Sequence, residues 1–307
     1  MRTFPRTLVV LIALVVVGAA CQAGPSPTPP ATPTATVTAE PTATPTEGPA
    51  TPNPDDLLAK VLAAGKLVVS TDAAYPPQSE LADGKWQGFD VDVATEIAKR
   101  LGVTVEFTAQ DWSVITAGSW AGRWDVSVGS MAITTDRSKI FDFSPSYYYT
   151  PAQITASTQS GITDLAGLAG KSVCVGEATT YYTWLTGTLD FGPGTIVTTK
   201  PPEGVKTVTR TTDRDCANEW QAGRFEFEGW MTSSTTVQDA VDDGIGMVNV
   251  GEPQFYEPLS VAVDKSGPTH GEFMQALSAI IFQMHADHTL SQLSEKWFGV
   301  DLTVKIG

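Results

Sequence analysis

The segment KLVVSTDAAYPPQSELADGKWQGFDVDVATEIAKRLGVTVEF, residues 66–107, decides the fold class. It begins with a short apolar run at 66–70, which is typical of a buried strand. Residues 91–101 repeat apolar side chains at helical spacing and end in a basic pair and a glycine, which favour a helix C-terminus. A second short apolar run follows at 103–107. A strand, a helix and a strand in this order predict a parallel α/β sheet.

The alternation of strands and helices continues and then restarts in the second half of the chain. A helix over 112–121 and a strand over 124–128 complete the first set. Because a second set begins near residue 171, the sequence predicts two α/β lobes. The remaining predicted elements are strands at 171–175, 195–199 and 259–263 and helices at 180–185, 215–223, 272–284 and 290–297.

The charge balance of the chain is acidic. Its 307 residues include 19 Lys+Arg and 34 Asp+Glu, which gives a formal net charge of −15. Such a field repels phosphate backbones and anionic lipid, so the composition argues against nucleic-acid binding.

Sequence motifs give no basis for catalysis. No P-loop, glycine-rich dinucleotide motif or nucleophile–His–acid set is evident, so we expect neither an enzyme nor a cofactor. His285 and His288 have the i, i+3 spacing at which two side chains of a helix can share a ligand. A solvated helix end explains the same pair, and we expect no metal site.

The N-terminal segment has the pattern of an export signal. Two arginines precede an unbroken apolar run of ten residues, 8–17. The run is too short to cross a bilayer, which takes about 20 residues, and it fits a signal-peptide h-region. Small residues then lead to Cys21 in a pattern that resembles the bacterial lipobox, although a glycine replaces the usual Leu or Val. The sequence predicts a lipoprotein signal peptide over 1–20 with lipid attached at Cys21. A secretory signal cleaved near Ala20 is the alternative.

Residues 21–54 are predicted to form a tether. They are almost wholly Pro, Thr, Ala and Ser, without the apolar period that a packed core requires. Proline favours an extended conformation of about 3.1 Å per residue, so the tether could place a domain up to about 100 Å from a membrane anchor. We therefore expect an extracytoplasmic protein anchored to the cell membrane by its N-terminal lipid.

Two cysteines remain once Cys21 is assigned to the lipid. Because an even number of cysteines is left in an exported protein, the sequence predicts one disulfide between Cys174 and Cys216. Two buried free thiols are the alternative.

Several stretches of the chain together resemble the polar-amino-acid-binding family of extracellular solute-binding proteins, family 3. The resemblance covers residues 55–303 and depends on the order and spacing of the motifs. The matching stretches are 70–77, 88–94, 97–102, 130–137, 141–148, 165–176, 178–180, 221–224 and 295–299.

The resemblance implies a type II periplasmic-binding fold, in which two α/β lobes are joined by two hinge strands. Lobe 1 would comprise 55–149 plus 260–307, and lobe 2 would comprise 150–259. It also implies a monomer that captures a small amino acid or related carboxylate by hinge closure and delivers it to an ABC permease in the membrane. A sensor or receptor component with the same fold but no transport role is the alternative.

The resemblance also implies a set of ligand-binding residues. Arg137 offers the fork of donors that binds a carboxylate. Family members add backbone N–H groups near Ala132 and at the start of a lobe 2 helix, here at Thr179 and Thr180, where free N–H groups favour an anion.

Side chains of lobe 1 would complete the site. Tyr75 and Trp112 correspond to aromatic or apolar walls of the family's cleft. Ser130 corresponds to a ligand-binding hydroxyl. Asp72 corresponds to a carboxylate that some members use for basic side chains, although it could equally cap a turn.

One departure from the family pattern concerns the ligand's amine. The family usually pairs the α-ammonium with a lobe 2 acid, and here that position falls within 231–233, where no acid occurs. An ammonium desolvated without a counter-charge is costly. Either the ligand is not a standard α-amino acid or another group substitutes: Asp72, Glu177, or the aromatic face of Trp230 or Tyr181.

Overall fold

The computed structural model describes residues 52–193, 197 and 199–304. The predicted signal peptide and Cys21 lie outside the described residues, as does the tether up to residue 51. The predicted strand at 195–199 also falls largely outside them.

Strands of the described residues run through both halves of the chain. They are β1 (Lys66–Thr71), β2 (Ala74–Tyr75), β3 (Ser79–Ala82), β4 (Lys85–Gln87), β5 (Thr104–Ala109), β6 (Val126–Ala132), β7 (Phe141–Phe143), β8 (Tyr148–Ser157), β9 (Ser172–Gly176), β10 (Lys206–Arg210), β11 (Gly229–Ser233), β12 (Met247–Asn249) and β13 (Phe255–Asp264).

Helices alternate with these strands. They are α1 (Leu57–Ala64), α2 (Phe89–Leu101), α3 (Trp112–Thr116), α4 (Arg137–Ile140), α5 (Thr180–Leu185), α6 (Asp213–Gln221), α7 (Ser234–Asp242), α8 (Gly271–Ala286) and α9 (Thr289–Phe298), with 3₁₀ turns at Thr158–Ser160 and Leu165–Leu168.

The large sheet has two parallel halves on either side of an antiparallel pair. Its order is β10-β9-β11-β8-β13-β6-β1-β5. β1 pairs in parallel with β5 and β6, and β9 pairs in parallel with β10 and β11. The β5-β1-β6 half forms the sheet of the first lobe, and the β10-β9-β11 half forms that of the second. This arrangement confirms the predicted α/β fold of two lobes.

The two hinge strands are β8 and β13, each ten residues long. Their antiparallel pairing runs from Phe255 opposite Ala152 to Leu259 opposite Tyr148. β8 also pairs with β11 of the second lobe, and β13 pairs with β6 of the first. The chain therefore passes between the lobes along a paired ribbon.

Helix α2 illustrates why the deciding segment folds as it does. It has acidic residues in its first turn and a basic pair in its last turn, which suits the helix dipole, and Gly102 ends it at φ 77°. Gly88 precedes it at φ 129°, where an added Cβ would lie 2.3 Å from the carbonyl oxygen of Gln78. Only glycine lets these two backbone segments approach so closely.

One predicted helix is much shorter in the structure. The expected helix over 112–121 ends at Thr116, because the chain then enters a loop. In that loop Gly118, Ser119, Ala121 and Gly122 all have positive φ, which an α-helix does not accommodate.

The predicted disulfide between Cys174 and Cys216 is confirmed. It joins β9 to α6 with Cα atoms 5.9 Å apart. Both cysteines are fully buried, beside Trp220 and Trp230, so the bridge lies within the apolar core of the second lobe.

Removing the bridge should destabilise the second lobe. We expect Cys174→Ala combined with Cys216→Ala to lower the free energy of unfolding by about 4 kcal/mol, because the unfolded chain regains the entropy lost by closing its loop. Urea unfolding followed by tryptophan fluorescence measures this difference. The wild-type protein in reducing agent should unfold at a similarly lowered urea concentration. A variant as stable as the oxidised wild type would contradict the prediction.

Candidate functional site

A cavity lies where the two lobes face each other beside the hinge strands. Seven of the eight predicted ligand-binding residues line it: Asp72, Tyr75, Trp112, Ser130, Arg137, Thr179 and Thr180. The eighth, Ala132, contributes its carbonyl oxygen to Arg137. Ser130 and Ala132 lie at the carboxyl end of β6, and Asp72 follows β1. Ligand sites of open α/β sheets occur beyond these strand ends.

Arg137 extends from the first lobe to the second. Its Nη1 donates a hydrogen bond to Ala132 O at 3.0 Å and its Nη2 donates to Ala178 O at 2.9 Å. Its guanidinium carbon lies 5.3 Å from the ring centroid of Trp112. Since a guanidinium has five N–H donors, three remain for an anionic ligand.

The guanidinium keeps its positive charge. Burial lowers the pKa of Arg137 to about 10, while the nearby carboxylate of Glu257 opposes this shift. Arg137 is therefore a partly desolvated cation at neutral pH, which strengthens its attraction for a carboxylate.

Ser130 is held by its own lobe. Its hydroxyl donates to Asp90 Oδ2 at 2.6 Å and bonds to the hydroxyl of Tyr148. The backbone φ of Ser130 is 57°, and its N–H donates to the Tyr147 hydroxyl at 3.1 Å. These contacts fix the end of β6 at the cavity and leave one lone pair of the Ser130 hydroxyl for a ligand.

Thr179 and Thr180 begin helix α5. The Thr179 hydroxyl accepts from Tyr182 N at 3.2 Å and donates to Gly176 O at 2.9 Å, as a helix N-cap does. The Thr180 hydroxyl donates to Glu257. The helix start therefore points toward the cavity, as the resemblance implies.

Two acids of the cavity were not predicted as site residues. Asp213 is 6% exposed and begins helix α6, and Glu257 is 3% exposed and lies on hinge strand β13. The predicted helix began at 215 and the predicted strand at 259, so both acids fell just outside. The sequence did carry one signal, since Thr212 and Asp215 form a capping box that marks a helix start before 215.

Glu257 is bound on every side by hydroxyls. Its Oε2 accepts from Tyr181 at 2.6 Å and from Thr150 at 3.5 Å, while Oε1 accepts from Thr180. The Tyr181 hydroxyl also lies 3.3 Å from that of Tyr75. This network connects the hinge to both lobes.

Burial raises the pKa of the acids around the cavity. The pKa of Asp213 rises to about 7, opposed by a hydrogen bond from Gly176 N and reinforced by the charges of Glu257 and Asp72. The pKa of Asp72 rises to about 6, opposed by the N–H of Ala74. Desolvation likewise raises the pKa of Glu257. A ligand cation entering the cavity would favour the ionised form of these groups.

The residues that the sequence offered as partners of the ligand's amine differ in whether they line the cavity. Glu177 lines the cavity but is exposed. Trp230 packs in the core beside the disulfide. Tyr181 lines the cavity and donates to Glu257, and Asp72 accepts from Ala74 N at 2.8 Å, which is the turn-capping contact considered from the sequence.

The histidine pair shows no metal-like arrangement. His285 Nε2 lies 2.9 Å from Ser146 O, and His288 sits at φ 63° in the turn before α9. Across residues 52–193, 197 and 199–304, no group of three or more His, Cys, Asp or Glu side chains could hold a metal ion. In the same residues, no helix has the length and apolarity needed to cross a membrane.

Two lobes on a paired hinge, with a half-buried cation and several acids in the cleft between them, define a substrate-binding protein. The sequence signature of the bacterial extracellular solute-binding proteins, family 3, matches residues 67–300. The chain belongs to this family.

Relatives with known ligands span most of the chain. The L-cystine-binding protein of Escherichia coli is 30% identical over 253 residues, covering 81% of this chain and 88% of the relative. The L-arginine-binding protein of Pseudomonas aeruginosa is 27% identical over 252 residues, covering 78% and 91%.

Solved structures confirm the type II periplasmic-binding fold. An ancestral arginine-binding protein bound to arginine is 29% identical with a TM-score of 0.65, covering 76% of this chain and 99% of that one. An ancestral amino acid-binding protein, described as a precursor of cyclohexadienyl dehydratase, is 28% identical with a TM-score of 0.66, covering 78% and 99%.

The raised pKa of Asp213 predicts that the free energy of unfolding of the protein without ligand depends on pH. Because its pKa is about 7 in the folded chain against an ordinary value of 3.8, the folded state holds the proton more firmly. The contribution of Asp213 to stability therefore falls as pH rises from about 4 to about 7. Relative to Asp213→Asn, the wild type should lose about 2–3 kcal/mol of unfolding free energy between about pH 5 and pH 8. Urea unfolding of both proteins at each pH measures this difference in unfolding free energy. A difference that does not change with pH would contradict the prediction.

Proposed function

We propose that this protein is the substrate-binding component of an ABC importer and captures an amino acid or related carboxylate by closing its two lobes. The observation that carries the proposal is Arg137, a half-buried cation in the cleft that bonds to both lobes. Membership of the solute-binding family and the ligands of its relatives support it. The protein then binds its ligand and releases it unchanged, without catalysis.

The proposed division of the chain follows the sheet. Lobe 1 comprises 55–149 plus 260–307 and lobe 2 comprises 150–259, so the chain crosses once near the start of β8 and once within β13. A ligand held by Arg137 from lobe 1 and by the start of α5 from lobe 2 would contact both sides. Such a ligand stabilises the closed form because it interacts with both lobes only there.

The proposed location is outside the cytoplasm, at the cell membrane. Acylated Cys21 would anchor the protein, and residues 22–54 would tether the binding domain within reach of a permease. The family's extracellular character and the pattern of the N-terminal segment support this placement.

The experiment that tests the function is calorimetric titration of the purified protein. The panel contains the standard amino acids, L-cystine, simple amines and organic acids that lack an amino group. Saturable binding of at least one amino acid is the expected result. A protein that binds no member of the panel would overturn the proposal.

The carboxylate contact is tested by Arg137→Lys. Lysine keeps the positive charge but loses the planar fork, so the affinity for the bound amino acid should fall by about 1.5–3 kcal/mol. Calorimetry measures the change. Arg123→Lys is the matched control, because Arg123 also stacks on a tryptophan, 4.6 Å from the Trp124 ring centroid, yet does not line the cleft. Unchanged affinity in Arg137→Lys would rule out the role.

The lipid anchor is tested by Cys21→Ala. Without the thiol no lipid can be attached, so the protein should move from the membrane fraction to the soluble extracytoplasmic fraction or the medium. Immunoblotting of the fractions measures this. The variant that lacks Cys174 and Cys216 retains Cys21 and should stay with the membrane. Retention of Cys21→Ala in the membrane fraction would contradict the anchor.

A further inference from the structure

We propose that Asp213 is the counter-ion for the α-ammonium group of the ligand, in place of the lobe 2 acid that positions 231–233 lack. The proposal rests on the proposed function, since it assigns one contact of the same amino-acid site. It assigns that contact to a residue of helix α6 whose carboxylate lies beside Thr232 of the expected strand end.

Two of the three positions where an acid was expected are already in use, and the third, Thr232, is fully buried. Met231 is buried in the central apolar cluster. The Ser233 hydroxyl accepts from Gln78 Nε2 at 3.0 Å and from the N–H of Thr236 at 3.3 Å. Ser233 therefore caps helix α7 and holds a side chain of the first lobe.

Gln78 of the first lobe is hydrogen bonded to the residues that follow this strand end. It is 0% exposed, and its amide nitrogen also donates to Thr235 Oγ1 at 2.6 Å, while its Oε1 accepts from Thr236 Oγ1 at 3.3 Å. With both ends of the amide bonded, this region offers no ionised group to an amine. The counter-charge must come from elsewhere in the cleft, because a desolvated ammonium without one is costly.

Glu257, Glu177 and Trp112 are less suited to the ammonium. Asp72 belongs to the first lobe, as Arg137 does, so it does not supply a lobe 2 contact. Both carboxylate oxygens of Glu257 already accept hydrogen bonds from hydroxyls. Glu177 is exposed, so water would screen its charge. The ring of Trp112 carries the guanidinium of Arg137, which excludes a second cation from that face.

Asp213 meets the requirements of the role. It lines the cavity and is 6% exposed. Its Oδ1 accepts from Gly176 N at 2.6 Å, and the Thr232 side chain lies beside the carboxylate, so the group is fixed at the cavity. A carboxylate has about four lone-pair sites, so acceptor capacity remains for a ligand. It belongs to the second lobe, whereas Arg137 belongs to the first. One anion and one cation on opposite sides of the cleft match the two charges of an amino acid.

The test compares amino acids with their des-amino analogues, in which hydrogen replaces the α-amino group. The probes are the standard amino acids and L-cystine, titrated into the wild type and into Asp213→Asn. The wild type should bind its best amino acid about 10- to 150-fold more tightly than the analogue, the range for a hydrogen bond to a charged group. In Asp213→Asn this ratio should fall to about threefold or less. Asparagine retains the oxygen that accepts from Gly176, so folding should persist, and a circular-dichroism spectrum checks it.

Gln78→Ala provides the matched control. It removes a contact between the lobes without removing a charge, so it should weaken the amino acid and its analogue by the same factor and preserve the ratio. A ratio unchanged in Asp213→Asn would overturn the assignment while leaving the proposed function intact. A wild type that binds an amino acid and its analogue equally well would also overturn it. Absence of binding to every amino acid would overturn the proposed function and this assignment together.

Discussion

The antiparallel pairing of β8 and β13 is the constraint on which the rest of the structure depends. The two parallel half-sheets meet only through this pair in the described part of the chain. Glu257 lies in its centre, opposite Thr150, and a buried carboxylate there must be hydrogen bonded or protonated. The hydroxyls of Thr180 and Tyr181 satisfy it from the second lobe. The start of helix α5, where a ligand's carboxylate would bind, is therefore held directly by the hinge.

The charges of the cleft are unbalanced without a ligand. Among the lining residues one arginine faces four carboxyl groups, those of Asp72, Glu177, Asp213 and Glu257. Burial raises the pKa of Asp72 to about 6 and that of Asp213 to about 7, so protons partly neutralise them near neutral pH. A cationic ligand group can replace such a proton at little electrostatic cost, because the site already favours a positive charge there.

The sequence predicted what local patterns encode. Helix α2 was recognised because its sequence contains its own end signals and a regular apolar face. Acidic residues occupy its first turn, a basic pair occupies its last turn and a glycine ends it. The predicted length of the helix at 112–121 was wrong. Apolar residues continue beyond Thr116 into a loop, and the sequence pattern does not show that residues of this loop have positive φ angles. Asp213 and Glu257 were missed because each enters the cavity through tertiary packing. A single acid near an element boundary gives no sign of the cleft it faces.

The lack of an acid at positions 231–233 separates two tasks that one residue would otherwise combine. A carboxylate at one of these positions would bind the ligand's amine and would thereby close the lobes only with a ligand that carries an amine. Gln78 instead joins the two lobes by neutral hydrogen bonds to Ser233, Thr235 and Thr236. Because this contact involves no ligand group, it favours the closed form by the same amount whichever ligand binds. The choice between ligands then depends on the charged groups of the cavity, because the neutral contact does not distinguish one ligand from another.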